Sequence, residues 1–406
     1  MKILFITSEL PFPPRRGMAV TISNFIRGLA ANHEVDLLYI HKQNNPLSQE
    51  AYQTNAAQVR HFEVMSRTND KFSGIVNELL GIKPAFAAWR LNGQFPAALK
   101  GPYDVLWAGP RLILHNAWRW GKQGIIDYKL LVAGVSDIHT ANLFLKRMDM
   151  GNVGGLKAKL EQRINWLRAT RMGRIEGKML HKANLVLVQS QVELDWTAKI
   201  GGQSLQNKSM ILPNGADERV WQGNMPDVSN KKLLFTGDVS TLYQNRLIWF
   251  LDSFWPTIRK AHPDASMTIL GRGATPALKA KMKDRGVQHI EYIEDIGALY
   301  REHAIFVAPI FKGYGVMNKV IEALGAGCIV VGDPTAFNGM PPVHEGAYAV
   351  EAKEEADFAP AAARVMDTPE QYADMQQNAR RMIQENFQWP QRFEAIDRKL
   401  KSLLNQ

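Results

Sequence analysis

Cysteine is almost absent from this sequence of 406 residues: Cys328 is the only one, so the chain cannot form an internal disulfide. Cys328 begins the apolar segment 328–332, where we expect a buried and unreactive thiol. Long apolar runs are also missing, and no segment reaches the ~18 residues that a transmembrane helix needs. The apolar run at the N-terminus is too short for a signal peptide and soon meets Pro11. We therefore expect a cytoplasmic protein.

Metal-binding and cofactor-binding patterns are missing too. No Asp-x-Asp pair follows a predicted strand, and no group of histidines and cysteines has the spacing of metal ligands. The loop after the first predicted strand lacks the Gly-x-Gly-x-x-Gly fingerprint of dinucleotide-binding domains. We expect neither a metal ion nor a cofactor.

The charge is positive, because 49 Lys and Arg residues outnumber 39 Asp and Glu residues and give a formal net charge of +10. Three kinds of partner would explain this excess: nucleic acid, an anionic membrane surface and anionic small molecules. Zinc-finger spacing, RNP-like aromatic patterns and a basic zipper are all absent, so we expect no nucleic-acid partner.

Basic residues concentrate in one segment, 156–182, which contains eight of them and only two glutamates. Its apolar residues, among them Leu156, Leu160 and Ile164, recur at helical spacing beside Trp166. A basic amphipathic helix of this type can make peripheral contact with an anionic membrane, here at its inner face. The alternative is a solvated helix whose apolar stripe packs on its own domain. The sequence leaves both interpretations open.

Short apolar strands alternate with helical segments along the chain. The first are a strand over 2–7, a helix over 18–32 and a strand over 34–40. This alternation predicts an α/β fold with parallel, doubly wound sheets.

The alternation restarts after a polar stretch at 222–232, which we interpret as a domain linker. We therefore predict two Rossmann-like domains facing a cleft. Residues 1–215 would form the N-terminal domain, residues 232–385 the second domain, and residues 386–406 a C-terminal helix.

The most informative segment, 313–327, has the sequence Gly-Tyr-Gly-Val-Met-Asn-Lys-Val-Ile-Glu-Ala-Leu-Gly-Ala-Gly. It predicts a glycine-containing turn and then a helix, with Lys319 and Glu322 on one face because they are three residues apart. A helix N-terminus offers free backbone N–H groups to an anion. An added ammonium suits a phosphate, and a carboxylate one turn later suits the vicinal hydroxyls of a ribose. The segment therefore indicates a site for the nucleotide diphosphate of a nucleotide-sugar.

Short motifs surround this segment in a definite order: Pro-Asn-Gly-Ala-Asp at 213–217, Phe-Thr-Gly-Asp at 235–238, Tyr-Gln-Asn at 243–245, Trp-Pro at 255–256 and Leu-Gly-Arg-Gly at 270–273. With two Rossmann-like domains, this set resembles the retaining glycosyltransferases of the GT-B fold, in the large family 4 (glycosyl transferases group 1) and its Lys-x-x-Glu-Ala branch. The resemblance implies a metal-independent enzyme that transfers a sugar from a nucleotide diphosphate-sugar to an acceptor hydroxyl with retention. It also implies that residues 1–215 form the acceptor domain, that residues 232–385 form the nucleotide-sugar donor domain, and that the C-terminal helix crosses back to the N-terminal domain.

The resemblance implies roles for several residues of the donor site. Glu322 matches the family's ribose-binding glutamate, and Lys319 matches a lysine that meets the diphosphate. Gly315, Val316 and Met317 would offer backbone N–H groups to the phosphates or the sugar. The alternative for the two charged residues is an ordinary solvated position on a helix.

The sequence departs from the family pattern at two places. Most relatives have two glutamates separated by seven residues, and the first of these positions holds Tyr314 here. Many relatives also have an Arg and a Lys in the loop that follows Gly237, whereas this loop has neither. Arg272 is then the best candidate to meet the diphosphate together with Lys319. Its alternative is an ordinary loop arginine.

In the N-terminal domain the resemblance points to three further residues. Gly17 begins the first helix, where relatives keep glycine so that the backbone can approach phosphate or acceptor. Asp137 and His139 follow a predicted strand, where many relatives direct a histidine or aspartate at the donor sugar or acceptor. The alternative is that Ser136 and Asp137 cap the next helix.

The predicted function is retaining glycosyl transfer in cell-surface polysaccharide or glycoconjugate synthesis. Its partners would be a nucleotide-sugar donor and a glycan or lipid-linked acceptor. Two alternatives stay open: a nucleotide-sugar epimerase with the same fold, and a catalytically idle partner that binds nucleotide or membrane in a polysaccharide assembly complex. The two departures from the family pattern favour the idle partner, and the presence of Lys319 and Glu322 argues against it.

Overall fold

The computed structural model describes residues 1–14, 17–69, 76–77, 80, 89–135, 138–141, 156–237, 239, 244–310, 315–343 and 347–406. These residues form two compact units. One unit contains Met1–Pro213 and Pro390–Gln406, and the other contains Asn214–Trp389.

Eight strands form the sheet of the first unit: β1 (Lys2–Thr7), β2 (Glu34–Lys42), β3 (His61–Asn69), β4 (Trp89–Asn92), β5 (Tyr103–Ala108), β6 (Tyr128–Ala133), β7 (Leu185–Val188) and β8 (Ser209–Ile211). Their order is β4-β3-β2-β1-β5-β6-β7-β8. Neighbouring strands are parallel except β3 and β4, which are antiparallel. The chain winds outward from β1 in both directions, which is the predicted doubly wound topology.

The helices of the first unit's main segment connect these strands: α1 (Gly17–Ala30), α2 (Gln49–Ala56), α3 (Leu114–Lys122), α4 (Leu156–Leu180) and α5 (Gln191–Asn207). The N-terminus of α5 is capped by Ser190, whose side chain accepts a hydrogen bond from the Glu193 N–H. α5 is interrupted at Gly202, where φ is +73°.

Six strands form the sheet of the second unit: β9 (Lys232–Thr236), β10 (Ser266–Leu270), β11 (Gln288–Ile290), β12 (Ile305–Ala308), β13 (Ile329–Gly332) and β14 (Val350–Glu351). Their order is β11-β10-β9-β12-β13-β14, and all pairs are parallel. The interior strands are buried on both faces and are therefore continuously apolar, as in Ile329–Gly332. The carboxyl ends of β9, β10 and β12 lie along one edge of this sheet.

The remaining helices follow in chain order: α6 (Gln244–Ser253), α7 (Trp255–Ala261), α8 (Pro276–Asp284), α9 (Ile296–Arg301), α10 (Asn318–Ala326), α11 (Phe358–Asp367), α12 (Ala373–Asn386) and α13 (Trp389–Leu404). The chain breaks between α6 and α7. Pro256 lies in the first turn of α7, where its missing N–H costs nothing, but it has no N–H with which to continue the hydrogen-bond ladder of α6.

The C-terminal helix α13 packs against the first unit through α1 and the start of β2. A Cβ atom at Gly28 would lie 2.3 Å from the Phe393 ring, so only glycine fits beneath this ring. His33 Nε2 lies 2.7 Å from Asp397 Oδ1 on the same helix. These contacts explain why residues after Pro390 belong to the unit that begins at Met1.

The basic helix α4 has a buried and an exposed part. Ala169, Met172 and Met179 are buried, as expected if the apolar stripe packs on its own domain. Ile164 and Trp166, near the other end, are 37% and 47% exposed. Among the described residues, we find no helix with the length and hydropathy of a membrane span.

Candidate functional site

The N-terminus of α10 is the centre of the predicted donor site. Its N-cap, Met317, has no side-chain oxygen and makes no side-chain capping hydrogen bond. Beside it, Asn318 Oδ1 accepts a 2.6 Å hydrogen bond from Asn214 Nδ2, and Asn214 is 3% exposed. This bond ties the Pro-Asn-Gly-Ala-Asp motif to the start of the helix.

The Lys319 side chain reaches toward the carboxyl end of β9. Its Nζ atom lies 4.4 Å from the centroid of the Phe235 ring. Gly237, just after β9, has φ of +148°, and a Cβ atom there would lie 3.1 Å from Lys319 Nζ. Glycine is thus required both by the backbone and by the neighbouring ammonium. Burial lowers the pKa of Lys319 from its usual value to about 7.

Glu322, one turn further along α10, is hydrogen-bonded to a neighbouring helix. Its Oε2 atom accepts a 3.1 Å hydrogen bond from the hydroxyl of Tyr300 on α9. Burial is the main cause that raises the pKa of Glu322 to about 7, and the negative charge of Asp217 adds to it, while the Tyr300 hydrogen bond opposes the rise. Glu322 as a whole residue is partly exposed to solvent, whereas its carboxyl group lies in buried surroundings.

Arg272 occupies the loop after β10, the strand next to β9. Its guanidinium is exposed and lies 5.0 Å from the centroid of the Tyr292 ring. A Cβ atom at Gly271 would lie only 1.9 Å from the Gly237 carbonyl oxygen, so the turns after β9 and β10 pack backbone against backbone. Arg272 therefore lies on the same sheet edge as Lys319.

Gly315, Val316 and Met317 directly precede α10, as predicted from the sequence, whereas the predicted residues of the first unit fall elsewhere. Gly17 is the first residue of α1, in the first unit. His139 is also in the first unit, and its N–H donates a 2.9 Å hydrogen bond to Glu176 Oε1 on α4. Asp137 and Tyr314 lie outside the described residues.

Comparison with known proteins identifies the architecture. Residues 230–368 match a family model described as Glycosyl transferases group 1. The whole chain resembles Anabaena HepE in complex with UDP and glucose, with a TM-score of 0.67 and 14% identity over 99% of this chain and 100% of HepE. It also resembles sucrose-phosphate synthase from Thermosynechococcus elongatus, with a TM-score of 0.69 and 14% identity over 100% of both chains. The fold is GT-B.

A curated relative is similar over a shorter stretch. An uncharacterized 44.6 kDa protein in the cps region of Klebsiella pneumoniae is 28% identical over 182 residues. The match covers 42% of this chain and 46% of that protein.

The sequence-based prediction did not single out Tyr300, which contacts residues of the predicted donor site. Tyr300 is fully buried, and its hydroxyl lies near Thr236, Lys319 and Glu322. One signal was present: a tyrosine on the core-facing side of a short helix needs a partner for its hydroxyl. The sequence could not say which group would be that partner.

Proposed function

We propose that this protein is a retaining glycosyltransferase that transfers a sugar from a nucleotide diphosphate-sugar to an acceptor hydroxyl. The observation that carries the proposal is that Lys319 and Glu322 both lie in the first turns of α10, within the segment that matches group 1 glycosyltransferases. The UDP and glucose bound to HepE, a protein of the same fold, support a nucleotide-sugar as the donor class.

The diphosphate would bind between the N-terminus of α10 and the Lys319 ammonium. Backbone N–H groups from Gly315 to Asn318 would donate hydrogen bonds to the phosphate oxygens, aided by the helix dipole. When the glycosidic bond to the donor breaks, negative charge grows on the departing nucleoside diphosphate. A buried cation lowers the energy of that charge more than a solvated one does, so Lys319 would stabilise the transition state, with Arg272 at the exposed side.

The ribose would bind to Glu322. An ionised carboxylate accepts hydrogen bonds at both oxygens, and Tyr300 occupies one direction at Oε2. The remaining lone pairs suit the two vicinal hydroxyls of a ribose.

Retention would follow if the acceptor attacks the face that the leaving group departs from, with a leaving phosphate oxygen taking the acceptor proton. His139, Asp137 and Gly17 are proposed to serve the sugar and the acceptor, and Tyr314 the donor sugar.

We further propose that the acceptor is a glycan or a lipid-linked glycan of a cell-surface polysaccharide, made at the cytoplasmic side of a membrane. The cps-region relative supports this assignment. So does α4, where Ile164 and Trp166 are exposed beside the exposed Arg163, Arg171 and Arg174. Such a surface suits peripheral contact with anionic lipid.

Calorimetric titration with UDP, GDP, ADP, TDP and CDP tests the donor site. We expect one of these nucleotides to bind, and Glu322→Ala to weaken binding roughly 10- to 100-fold, because hydrogen bonds to an ionised group are the strong ones. Glu370→Ala is the matched control, since Glu370 is exposed on the same unit. If no nucleotide binds, or if both variants bind as well as the wild type, the proposed donor site is wrong.

Activity is tested separately, with the sugar form of whichever nucleotide binds. Incubation with an acceptor glycan should give a transferred product whose anomeric configuration, read by NMR, equals that of the donor. Incubation of the donor alone should give no epimer. Epimer formed without an acceptor would instead identify a nucleotide-sugar epimerase.

A further inference from the structure

Tyr300 lies where three elements of the second unit meet. It projects from α9, is 0% exposed, and its ring lies 5.9 Å from the Phe306 ring of β12. Its hydroxyl oxygen is 3.1 Å from Thr236 Oγ1 on β9 and 3.1 Å from Glu322 Oε2 on α10. The Lys319 carbonyl oxygen lies further away, at 3.4 Å. One buried hydroxyl thus links the strand below the site to both functional residues of α10.

The direction of these hydrogen bonds follows from counting protons. A tyrosine hydroxyl has one proton to donate, and an ionised carboxylate can only accept. The proton of Tyr300 therefore goes to Glu322 Oε2, and Thr236 donates its own hydroxyl proton to the Tyr300 oxygen. The result is a directed chain from Thr236 through Tyr300 to Glu322.

We propose that Tyr300 is a positioning residue of the nucleotide site, whose hydroxyl orients the Glu322 carboxylate for the ribose hydroxyls and keeps it ionised. This inference rests on the proposed function for its ligand, although the Tyr300–Glu322 contact does not. Tyr300 itself touches no ligand, because it is buried beneath Glu322.

The surroundings of Glu322 explain why it needs such support. Lys319 lies on the same helix, Asp217 faces Glu322 from the loop after β8, and Arg219 is ion-paired with Asp217 at 2.5 Å. The Asp217 charge and burial both favour the protonated form of Glu322, whereas the Tyr300 hydrogen bond favours the ionised form. A protonated carboxyl has fewer lone pairs to accept from two ribose hydroxyls. Loss of the Tyr300 hydroxyl should therefore weaken binding even where the ring still fills its space.

Tyr300→Phe tests the inference, and Tyr348→Phe is its matched control. Tyr348 is 5% exposed in the same unit, and its hydroxyl donates to the Pro341 carbonyl rather than to a site residue. Both variants keep the ring and lose a buried hydroxyl, which makes two hydrogen bonds in Tyr300 and one in Tyr348, so Tyr300→Phe is expected to lose somewhat more stability. Thermal unfolding checks that both are folded.

Nucleotide affinity is then measured by calorimetry between about pH 5 and about pH 9. For Tyr300→Phe we expect binding weakened on the order of 10-fold near pH 7, and the decline of affinity on acidification moved upward by about one pH unit. Tyr348→Phe should match the wild type in both respects. The inference is overturned if Tyr300→Phe keeps the wild-type pH profile, or if the two variants lose affinity equally.

A ligand-free measurement separates this inference from the proposed function. The Glu322 carboxyl carbon is followed by ¹³C NMR during a pH titration and assigned as the signal that Glu322→Gln lacks. Tyr300→Phe should raise the titration midpoint, and Tyr348→Phe should leave it unchanged. If the wild type binds no nucleotide but the midpoint moves, the proposed function fails and the Tyr300–Glu322 link stands. If the midpoint does not move, Tyr300 does not control Glu322.

Discussion

Gly237 and Lys319 are in close contact: a Cβ atom on Gly237 would lie 3.1 Å from the Lys319 ammonium nitrogen, which would then have to shift. The glycine directly follows β9, and the lysine comes from α10. The backbone at Gly237 therefore leaves space for the ammonium group of Lys319. This relationship connects the Phe-Thr-Gly motif to the Lys-x-x-Glu-Ala motif, which are some 80 residues apart in the sequence.

Substitution of Gly237 should therefore impair both folding and binding. We expect Gly237→Ala to cost about 1–3 kcal/mol of unfolding free energy, because φ of +148° is a region that only glycine adopts readily. We also expect nucleotide affinity to fall at least roughly tenfold, because the methyl group would displace Lys319 Nζ. Urea unfolding and calorimetry measure the two effects.

Gly286→Ala separates backbone strain from crowding. Gly286 has φ of +65°, and a Cβ atom there has no neighbour within 4 Å. This variant should lose stability but bind nucleotide normally. Equal affinity losses in the two variants would show that crowding against Lys319 is irrelevant.

We expect Lys319 to lower the unfolding free energy of the protein near neutral pH, although it contributes to nucleotide binding. Its pKa is lowered from 10.5 to about 7, so the unfolded chain binds more protons than the folded chain between these values. The contribution of Lys319 to the unfolding free energy therefore rises as the pH is raised from about 7 to about 10.5. We expect Lys319→Met to be no less stable than the wild type at pH 7, and to bind nucleotide roughly 10- to 100-fold more weakly.

Lys260→Met is the control: this exposed lysine lies on α7, and its substitution should change neither stability nor nucleotide affinity. A large loss of stability in Lys319→Met would contradict this balance.

Nucleotide affinity should be greatest near neutral pH. The diphosphate favours protonated Lys319 and the ribose favours ionised Glu322, and both groups have pKa values of about 7 in the ligand-free protein. Binding should therefore take up a proton at Lys319 above pH 7 and release one from Glu322 below it. Calorimetry in two buffers with different ionisation enthalpies measures the number of protons exchanged.

The single variants assign the two limbs of this profile. Lys319→Met should remove the proton uptake on the alkaline side, and Glu322→Gln should remove the proton release on the acidic side. A profile that is flat in the wild type, or that keeps both limbs in each variant, would falsify the assignment.

The sequence predicted those parts of the GT-B fold that depend on local pattern. The bounds of β1 agree with the predicted strand, and α10 lies in the segment where a turn and then a helix were predicted, because each is an apolar run or helical period that ends at polar or glycine residues. The antiparallel strand β4 and the helices α2 and α3 were not predicted. β4 and α2 are short, and packing against the sheet decides their conformation, whereas the buried Leu114, Ala117 and Trp120 of α3 do recur at helical spacing.

At the site, the sequence predicted which residue types would be present but not how they pair. The i, i+3 spacing placed Lys319 and Glu322 on one face, and the structure agrees. The contact of Glu322 with Tyr300 joins residues 22 positions apart, and the hydrogen bond from the His139 N–H to Glu176 joins residues 37 positions apart. Such pairs depend on how helices pack, and one sequence carries no record of that packing.

The exposed end of α4 allows a test of membrane contact. Ile164 and Trp166 are 37% and 47% exposed, which is costly in water unless a partner covers them. We expect the protein to co-sediment with vesicles that contain phosphatidylglycerol, and more weakly with pure phosphatidylcholine, because Arg171 and Arg174 are attracted to anionic headgroups. Added salt should weaken the association, since screening shortens the range of this attraction.

Two serine variants show whether the exposed apolar side chains insert into the lipid. Ile164→Ser combined with Trp166→Ser should lower vesicle affinity on the order of 10-fold, because burying such side chains supplies much of the binding free energy. Ile211→Ser is the control, since Ile211 is also 37% exposed but lies on β8. If the double variant binds vesicles as well as the wild type does, the apolar end of α4 does not enter the membrane. The basic residues alone would then account for any attraction to anionic lipid.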